Sequence, residues 1–178
     1  MLVASSMDFA GFKGHTLTAW IFSTGFAMSD FYDALETRNP EQRETDFMAQ
    51  LPRQIAHAQQ RSAAFAEILK GVNAATITSR AALAQLPVTR KSDLLERQAA
   101  QRPVQIFGGF NAIGLGHDMP RLFASPGPIY EPESRRSDYW RMARSMFAAG
   151  FRAGELVHNC FSYHFVPAGS MMVTGAPA

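Results

Sequence analysis

The sequence is poor in cysteine, with only Cys160 among its 178 residues. One cysteine excludes an intramolecular disulfide and any metal site built from several cysteines. The same scarcity is typical of proteins from a reducing compartment, so we expect a cytoplasmic localisation. Because Cys160 lies inside an apolar run, we expect its thiol to be buried and unreactive.

The sequence also lacks an excess of charge of either sign. Its 17 basic and 15 acidic residues give a formal net charge of +2, which predicts no nucleic-acid partner and no attraction to a membrane surface. No stretch reaches the roughly 20 apolar residues of a membrane-spanning helix. Residues 1–27 place Lys13 before a short apolar run and so weakly resemble a signal peptide. We interpret them as an extension outside the fold, ahead of a natural start at Met28, and keep an export signal as the alternative.

Histidines at metal-ligand spacing are missing as well. His158 and His164 would face the same side of an extended strand. Six extended residues span roughly 20 Å, however, which is too far for two ligands of one ion. We therefore predict no metal site and regard both histidines as polar strand residues or pocket lining.

Helical signals are concentrated in residues 28–100, which we predict to be a helical N-terminal region. Asn39 can cap a helix, Pro40 suits its first position, and Gln42 completes a capping box. Apolar residues then recur at three- and four-residue steps, which favours a long helical segment. Gly71 is a suitable C-terminal cap for this segment. Pro52 interrupts it, so that either the helix kinks there or a second helix begins there.

Two shorter helices are predicted further along this region. Ser79 caps one that runs through Leu86 and ends at Pro87, and another opens at Thr89. Residues 102–120 are rich in glycine and proline and predict a connecting loop.

Residues 101–178 predict an α/β arrangement. A short apolar strand begins at Arg121 and runs into a loop, up to Glu133, that contains Ser125, Gly127 and three prolines. An amphipathic helix follows over 137–149, then a second strand over 156–165, and the last residues open another helix. Strand, loop, helix and strand in this order are typical of a nucleotide-binding core.

The loop resembles the phosphate loop of the phenylacetate-CoA ligase branch of the adenylate-forming enzymes. That loop reads roughly Ala-Ser-Ser-Gly-Thr-Thr-Gly-Lys-Pro, and Ala124, Ser125, Gly127 and Pro132 match it. A second similarity is Leu86-Pro87 followed by Lys91-x-Asp93-Leu94. In this family a similar signature lies between the N-terminal helices and the core. The resemblance covers about residues 28–175.

The resemblance implies an enzyme that activates an aryl or acyl carboxylic acid with ATP and magnesium and passes the acyl group to coenzyme A. It assigns Ser125, Gly127 and Pro132 to the phosphates, and Tyr163, His164 and Gly169 to the start of the acyl pocket. The downstream acidic residues and the C-terminal lysine of the family have no counterpart in this sequence. We therefore expect a truncated core without catalytic residues, inactive alone, and either self-associating through an open edge or lacking a C-terminal part.

The loop departs from the family at Pro126, Pro128 and Glu131. A phosphate loop works through backbone N–H groups, hydroxyls and a cation, whereas proline has no N–H and Glu131 replaces a lysine. Two alternatives therefore stay open. One is a non-catalytic binding or regulatory relative, and the other is a helical interaction module formed by residues 39–100.

Overall fold

The computed structural model of the protein describes residues 31–176. The chain divides into two units, residues 1–31 and residues 32–178. Our interpretation of residues 1–27 falls outside the described residues, and the elements below all belong to the second unit. None of the described helices is long and apolar enough to cross a membrane.

The first helix, α1 (Pro40–Arg61), begins where the sequence predicts. The side chain of Asn39 accepts a hydrogen bond from the Gln42 backbone N–H at 2.7 Å. The helix continues through Pro52, so of the two predicted alternatives the second helix beginning at that residue is wrong. A proline removes one hydrogen bond of the helix, but the helix can continue beyond it.

The predicted apolar stripe is divided at Ser62, whose extended backbone (φ −127°, ψ 117°) ends α1. Ser62 then caps α2 (Ala63–Ile68) by accepting from the Phe65 N–H at 3.3 Å. A turn of 3-10 helix (Ala74–Thr76) and α3 (Arg80–Leu83) follow, and the side chain of Ser79 caps α3 as predicted. The core of this helical part is formed by Ile55, Leu69 and Ile77.

Helix α4 (Lys91–Gln101) confirms the prediction of a helix opening near Thr89. Asp93 accepts from the Arg90 backbone N–H at 3.1 Å, which satisfies one of the free donors at the start of the helix. Residues 102–120 contain neither helix nor strand, as predicted.

Two antiparallel strands, β1 (Arg121–Ser125) and β2 (Ile129–Glu133), form a hairpin. The predicted long loop is wrong, because only residues 126–128 lie between the strands. A proline cannot donate a hydrogen bond to a neighbouring strand and therefore usually weakens a sheet. Pro132 is tolerated because it lies at the edge of the sheet.

The helix predicted over 137–149 is shorter in the structure, where α5 spans Ala143–Ala148. Asp138 and Arg141 have left-handed backbones, with φ of 45° and 59°, which a helix does not allow. The Asp138 carboxylate instead accepts from the N–H groups of Met142 and Ala143 at 2.7 and 3.1 Å, which starts α5. The last helix, α6 (Ala168–Gly175), packs against α5.

Arg144 on α5 holds the segment that precedes α1. Its guanidinium donates to Asp33 at 2.6 Å and to Glu36, and it lies over the ring of Tyr32. The hydrogen bond from Arg144 keeps the pKa of the Asp33 carboxyl below its ordinary value.

The second predicted strand, over 156–165, does not form. A strand needs a neighbour for its backbone groups, and β1 gives this segment a single hydrogen bond, from the Ala124 N–H to the Phe165 carbonyl at 2.7 Å. Leu156 and Phe165 remain exposed, as does Cys160, so the prediction of a buried thiol is also wrong.

Candidate functional site

The hairpin turn is where the sequence predicts a phosphate loop. Ser125 ends β1, and Gly127 lies at the tip with φ 130° and open space around it. The Ser125 hydroxyl donates to the Ile129 carbonyl at 3.3 Å, which closes the turn from within. Pro126 and Pro128 flank the glycine and have no N–H groups.

The strand register places the other loop residues away from this tip. Pro132 lies opposite Leu122, and Glu131 lies opposite the buried Phe123. Of the predicted phosphate residues, only Ser125 and Gly127 therefore remain at the turn.

A buried glutamine fixes the outer edge of the hairpin. Gln98 on α4 is 1% exposed. Its side-chain amide donates to the Tyr130 carbonyl at 3.0 Å and accepts from the Tyr130 N–H at 2.8 Å. The amide thus substitutes for a neighbouring strand, a role that no local pattern in the sequence indicates.

Arg102, just after α4, lies next to the same residue. Its guanidinium carbon is 5.1 Å from the centroid of the Tyr130 ring. This cation stands beside the strand that leaves the turn, although the family lysine is absent from the loop itself. Sequence reasoning missed it because the arginine lies about 25 residues before the turn.

The inner end of the hairpin is held by Glu133, whose side chain is fully buried. Its carboxylate accepts from the indole N–H of Trp140 at 2.6 Å and from the hydroxyl of Ser170 on α6 at 2.5 Å. Arg121, at the start of β1, completes the cluster with an ion pair. Burial by itself raises a carboxyl pKa, but the hydrogen bonds from Ser170, Trp140 and Arg121 outweigh it, so the pKa of Glu133 lies below its ordinary value of 4.5.

The predicted pocket residues Tyr163 and Gly169 meet in the structure. A methyl group on Gly169 would lie 2.9 Å from the Tyr163 ring and 2.7 Å from the Ser162 carbonyl oxygen, so only glycine fits there. The side-chain amide of Asn159 donates to the Tyr163 hydroxyl at 2.7 Å and to the Gly169 carbonyl at 3.0 Å. His164 lies beside them, with its Nδ1 atom 3.0 Å from the Ser162 hydroxyl.

The turn and this aromatic segment are neighbours. The hydrogen bond from the Ala124 N–H to the Phe165 carbonyl joins the residue before Ser125 to the residue after His164. Two sets of residues that are about 40 positions apart in sequence are therefore brought to one edge of the hairpin. Whether they bind phosphates and an acyl group stays a prediction.

Within residues 31–176, no three histidine, cysteine, aspartate or glutamate side chains come close enough to hold a metal ion. The Cys160 sulfur lies 3.7 Å from Nε2 of His158, but this pair has no third member.

Comparison with known proteins supports the fold. No family model and no curated protein matches the sequence. Among solved structures, the chain is similar to 2-hydroxyisobutyryl-CoA ligase in the postadenylation state in complex with 2-HIB-AMP, with a TM-score of 0.73 and 21% identity. The match covers 88% of this chain and 34% of the ligase, so the chain spans about a third of the length of that enzyme. The fold of this chain is therefore similar to that of about a third of this ligase.

Proposed function

We propose that this chain is the N-terminal part of a phenylacetate-CoA ligase-like enzyme, which activates an aryl or acyl carboxylic acid with ATP for transfer to coenzyme A. The observation that carries the proposal is the bond between Ala124 and Phe165 at 2.7 Å. This hydrogen bond brings the hairpin turn next to the aromatic segment, and it supports the proposal because a carboxylate and the α-phosphate of ATP must be held close together to react.

The turn offers ATP few but suitable groups. Gly127, which is exposed, supplies a backbone N–H, and the Ser125 hydroxyl can turn from the Ile129 carbonyl towards a phosphate oxygen. In this proposal, Arg102 supplies the positive charge that the family places on a lysine. Its stacking on Tyr130 would hold the guanidinium beside the turn.

The aromatic segment suits the acyl group. Tyr163 packs against Gly169 but remains 51% exposed, and His164 adds a polar group next to the Ser162 hydroxyl. An apolar wall with a few polar groups is the usual lining of a small-molecule site. In this proposal magnesium would enter bound to ATP, and it would neutralise charge that develops on the phosphates.

Binding of ATP to the purified chain, measured by titration calorimetry, tests the proposal. Arg102→Gln removes one charge-assisted phosphate contact, worth about 1.5–3 kcal/mol, and should weaken binding at least tenfold. Arg61→Gln, an equal change of charge at the end of α1, should leave it unchanged. Equal affinities of the wild type and Arg102→Gln would refute the role of Arg102.

The isolated chain should release no pyrophosphate from ATP in the presence of coenzyme A and a panel of aryl acids. We expect this because the acidic residues and lysine that the family uses downstream have no counterpart here. Release above a no-enzyme control would contradict this part of the proposal.

A second candidate is a non-catalytic relative that does not bind ATP. The two prolines at the turn favour it, because they remove N–H donors that a phosphate loop uses. Absence of any ATP binding by the wild-type chain, with a normal cooperative melt, would decide for this candidate.

A further inference from the structure

An open groove lies between α1, α3 and the turn before α5, and it has a volume of about 1000 Å³. Its floor is apolar and consists of Phe47, Met48, Leu51 and Leu83. Phe47 is 48% exposed and Leu83 is 39% exposed, so part of this floor faces solvent. None of the groove residues belongs to the hairpin or to the aromatic segment.

The rim of the groove is basic. Arg53, Arg80 and Arg141 line it together with His57, and no aspartate or glutamate is among the lining residues. Arg80 is neutralised by Glu44, which accepts two hydrogen bonds from it at 2.7 Å.

The other two arginines are uncompensated. In the described part of the chain, the side chains of Arg53 and Arg141 make neither a hydrogen bond nor an ion pair. Two positive charges therefore face the groove without a partner from residues 31–176. A guanidinium is suited to carboxylate and phosphate groups, which it binds through two parallel hydrogen bonds.

Arg141 reaches the groove through an unusual backbone. Its φ of 59° lies in the left-handed region, which costs a non-glycine residue about 1–2 kcal/mol. The turn that imposes this conformation is closed by the Arg141 N–H, which donates to the Asp138 carbonyl at 2.9 Å. Arg141, from the region before α5, thus lines the same groove as the apolar side chains of α1.

We propose that this groove is a second binding site, for a small amphipathic anion that carries a carboxylate or phosphate on an apolar chain or ring. The anionic group binds Arg53 and Arg141, and the apolar part covers Phe47 and Leu83. The proposal is independent of ATP binding at the hairpin, since the two sites share no residue.

The test uses n-octyl phosphate as the probe, titrated into the full chain and followed by calorimetry. Octyl glucoside has the same chain without charge, and inorganic phosphate has the charge without the chain. We expect saturable binding of one octyl phosphate per chain, and at least tenfold weaker binding of both controls.

A matched pair of double variants locates the site. Arg53→Gln with Arg141→Gln should weaken octyl phosphate at least tenfold. Arg61→Gln with Arg136→Gln makes the same change of charge outside the groove and should leave the affinity within twofold of the wild type. Both pairs replace exposed side chains, and equal melting temperatures would confirm that each variant is folded.

Three results would overturn the proposal. Absence of saturable binding would show that the groove holds no such ligand. Equal binding of octyl phosphate and octyl glucoside would show that the arginines do not recognise an anion. Equal loss of affinity in the two double variants would show that only the net charge of the protein matters.

Discussion

Replacing Glu133 with glutamine should destabilise the protein strongly, although the two side chains have nearly the same shape. The carboxylate is fully buried and accepts from Trp140 at 2.6 Å, from Ser170 at 2.5 Å and from Arg121. Glutamine has one oxygen and one NH2 group, so at least one of these donors would face another donor.

The magnitude follows from the charge and the burial. A hydrogen bond to a charged group contributes about 1.5–3 kcal/mol, and breaking a buried ion pair costs about 3–5 kcal/mol. The side chain of Arg121 is 54% exposed, so water can solvate it after the change and the loss falls below that upper range. We expect the free energy of unfolding to fall by about 2–4 kcal/mol, and the melting temperature to fall by roughly 5–12 °C.

The assay is urea unfolding at pH 7 and at acid pH, with Glu131→Gln as the control. Glu131 lies on the same strand and forms no ion pair with another residue of 31–176, so its replacement should change the free energy of unfolding by less than about 0.5 kcal/mol. Because the pKa of Glu133 is lowered in the folded state, its contribution is full above the ordinary value of 4.5 and is lost as the pH falls through the folded pKa. The difference between wild type and Glu133→Gln should therefore narrow below about pH 4.5. A loss under about 0.5 kcal/mol at pH 7, or a difference that does not change with pH, would refute this account of the buried cluster.

Two further changes test the contacts that hold the site. Gln98→Leu leaves the N–H and C=O of Tyr130 without the amide that pairs with them, and should lower the free energy of unfolding in urea by about 2–4 kcal/mol; an unchanged unfolding midpoint would show that water replaces the amide. Gly169→Ala places a methyl group 2.7 Å from the Ser162 carbonyl oxygen and should lower the free energy of unfolding by about 1–3 kcal/mol. The control is Gly114→Ala, whose methyl group would have no atom within 4 Å and should lower the free energy of unfolding by under about 0.5 kcal/mol. Equal melting temperatures of the two variants would contradict the close packing at Gly169.

Elements whose signals are local could be predicted from the sequence. Asn39 and Ser79 each accept a hydrogen bond from a residue three positions on, and both helices begin where these caps indicate. Helix α4 and β1 also begin where their residue patterns place them.

Elements that depend on distant partners could not be predicted in this way. Residues 156–165 alternate like a strand, but the fold gives them one backbone hydrogen bond to β1. Tyr130 lies 32 residues from Gln98, and Ser170 lies 37 residues from Glu133, so no spacing rule reveals these two pairs. The same reason explains why the turn and the aromatic segment could be named separately, while their contact through Ala124 could not.

The proline pair at the hairpin turn has a consequence for how any partner would be recognised. Each pyrrolidine ring fixes its own φ, so the backbone on both sides of Gly127 is restrained before a ligand arrives. A glycine-rich loop can close around a ligand but loses conformational entropy when it does so. The two prolines leave this turn with little conformational entropy to lose on binding, and they also limit how far its backbone can adapt to a ligand. In the proposed function, a phosphate ligand would therefore have to match the turn in its existing form, and selectivity would come from preorganised shape instead of induced closure.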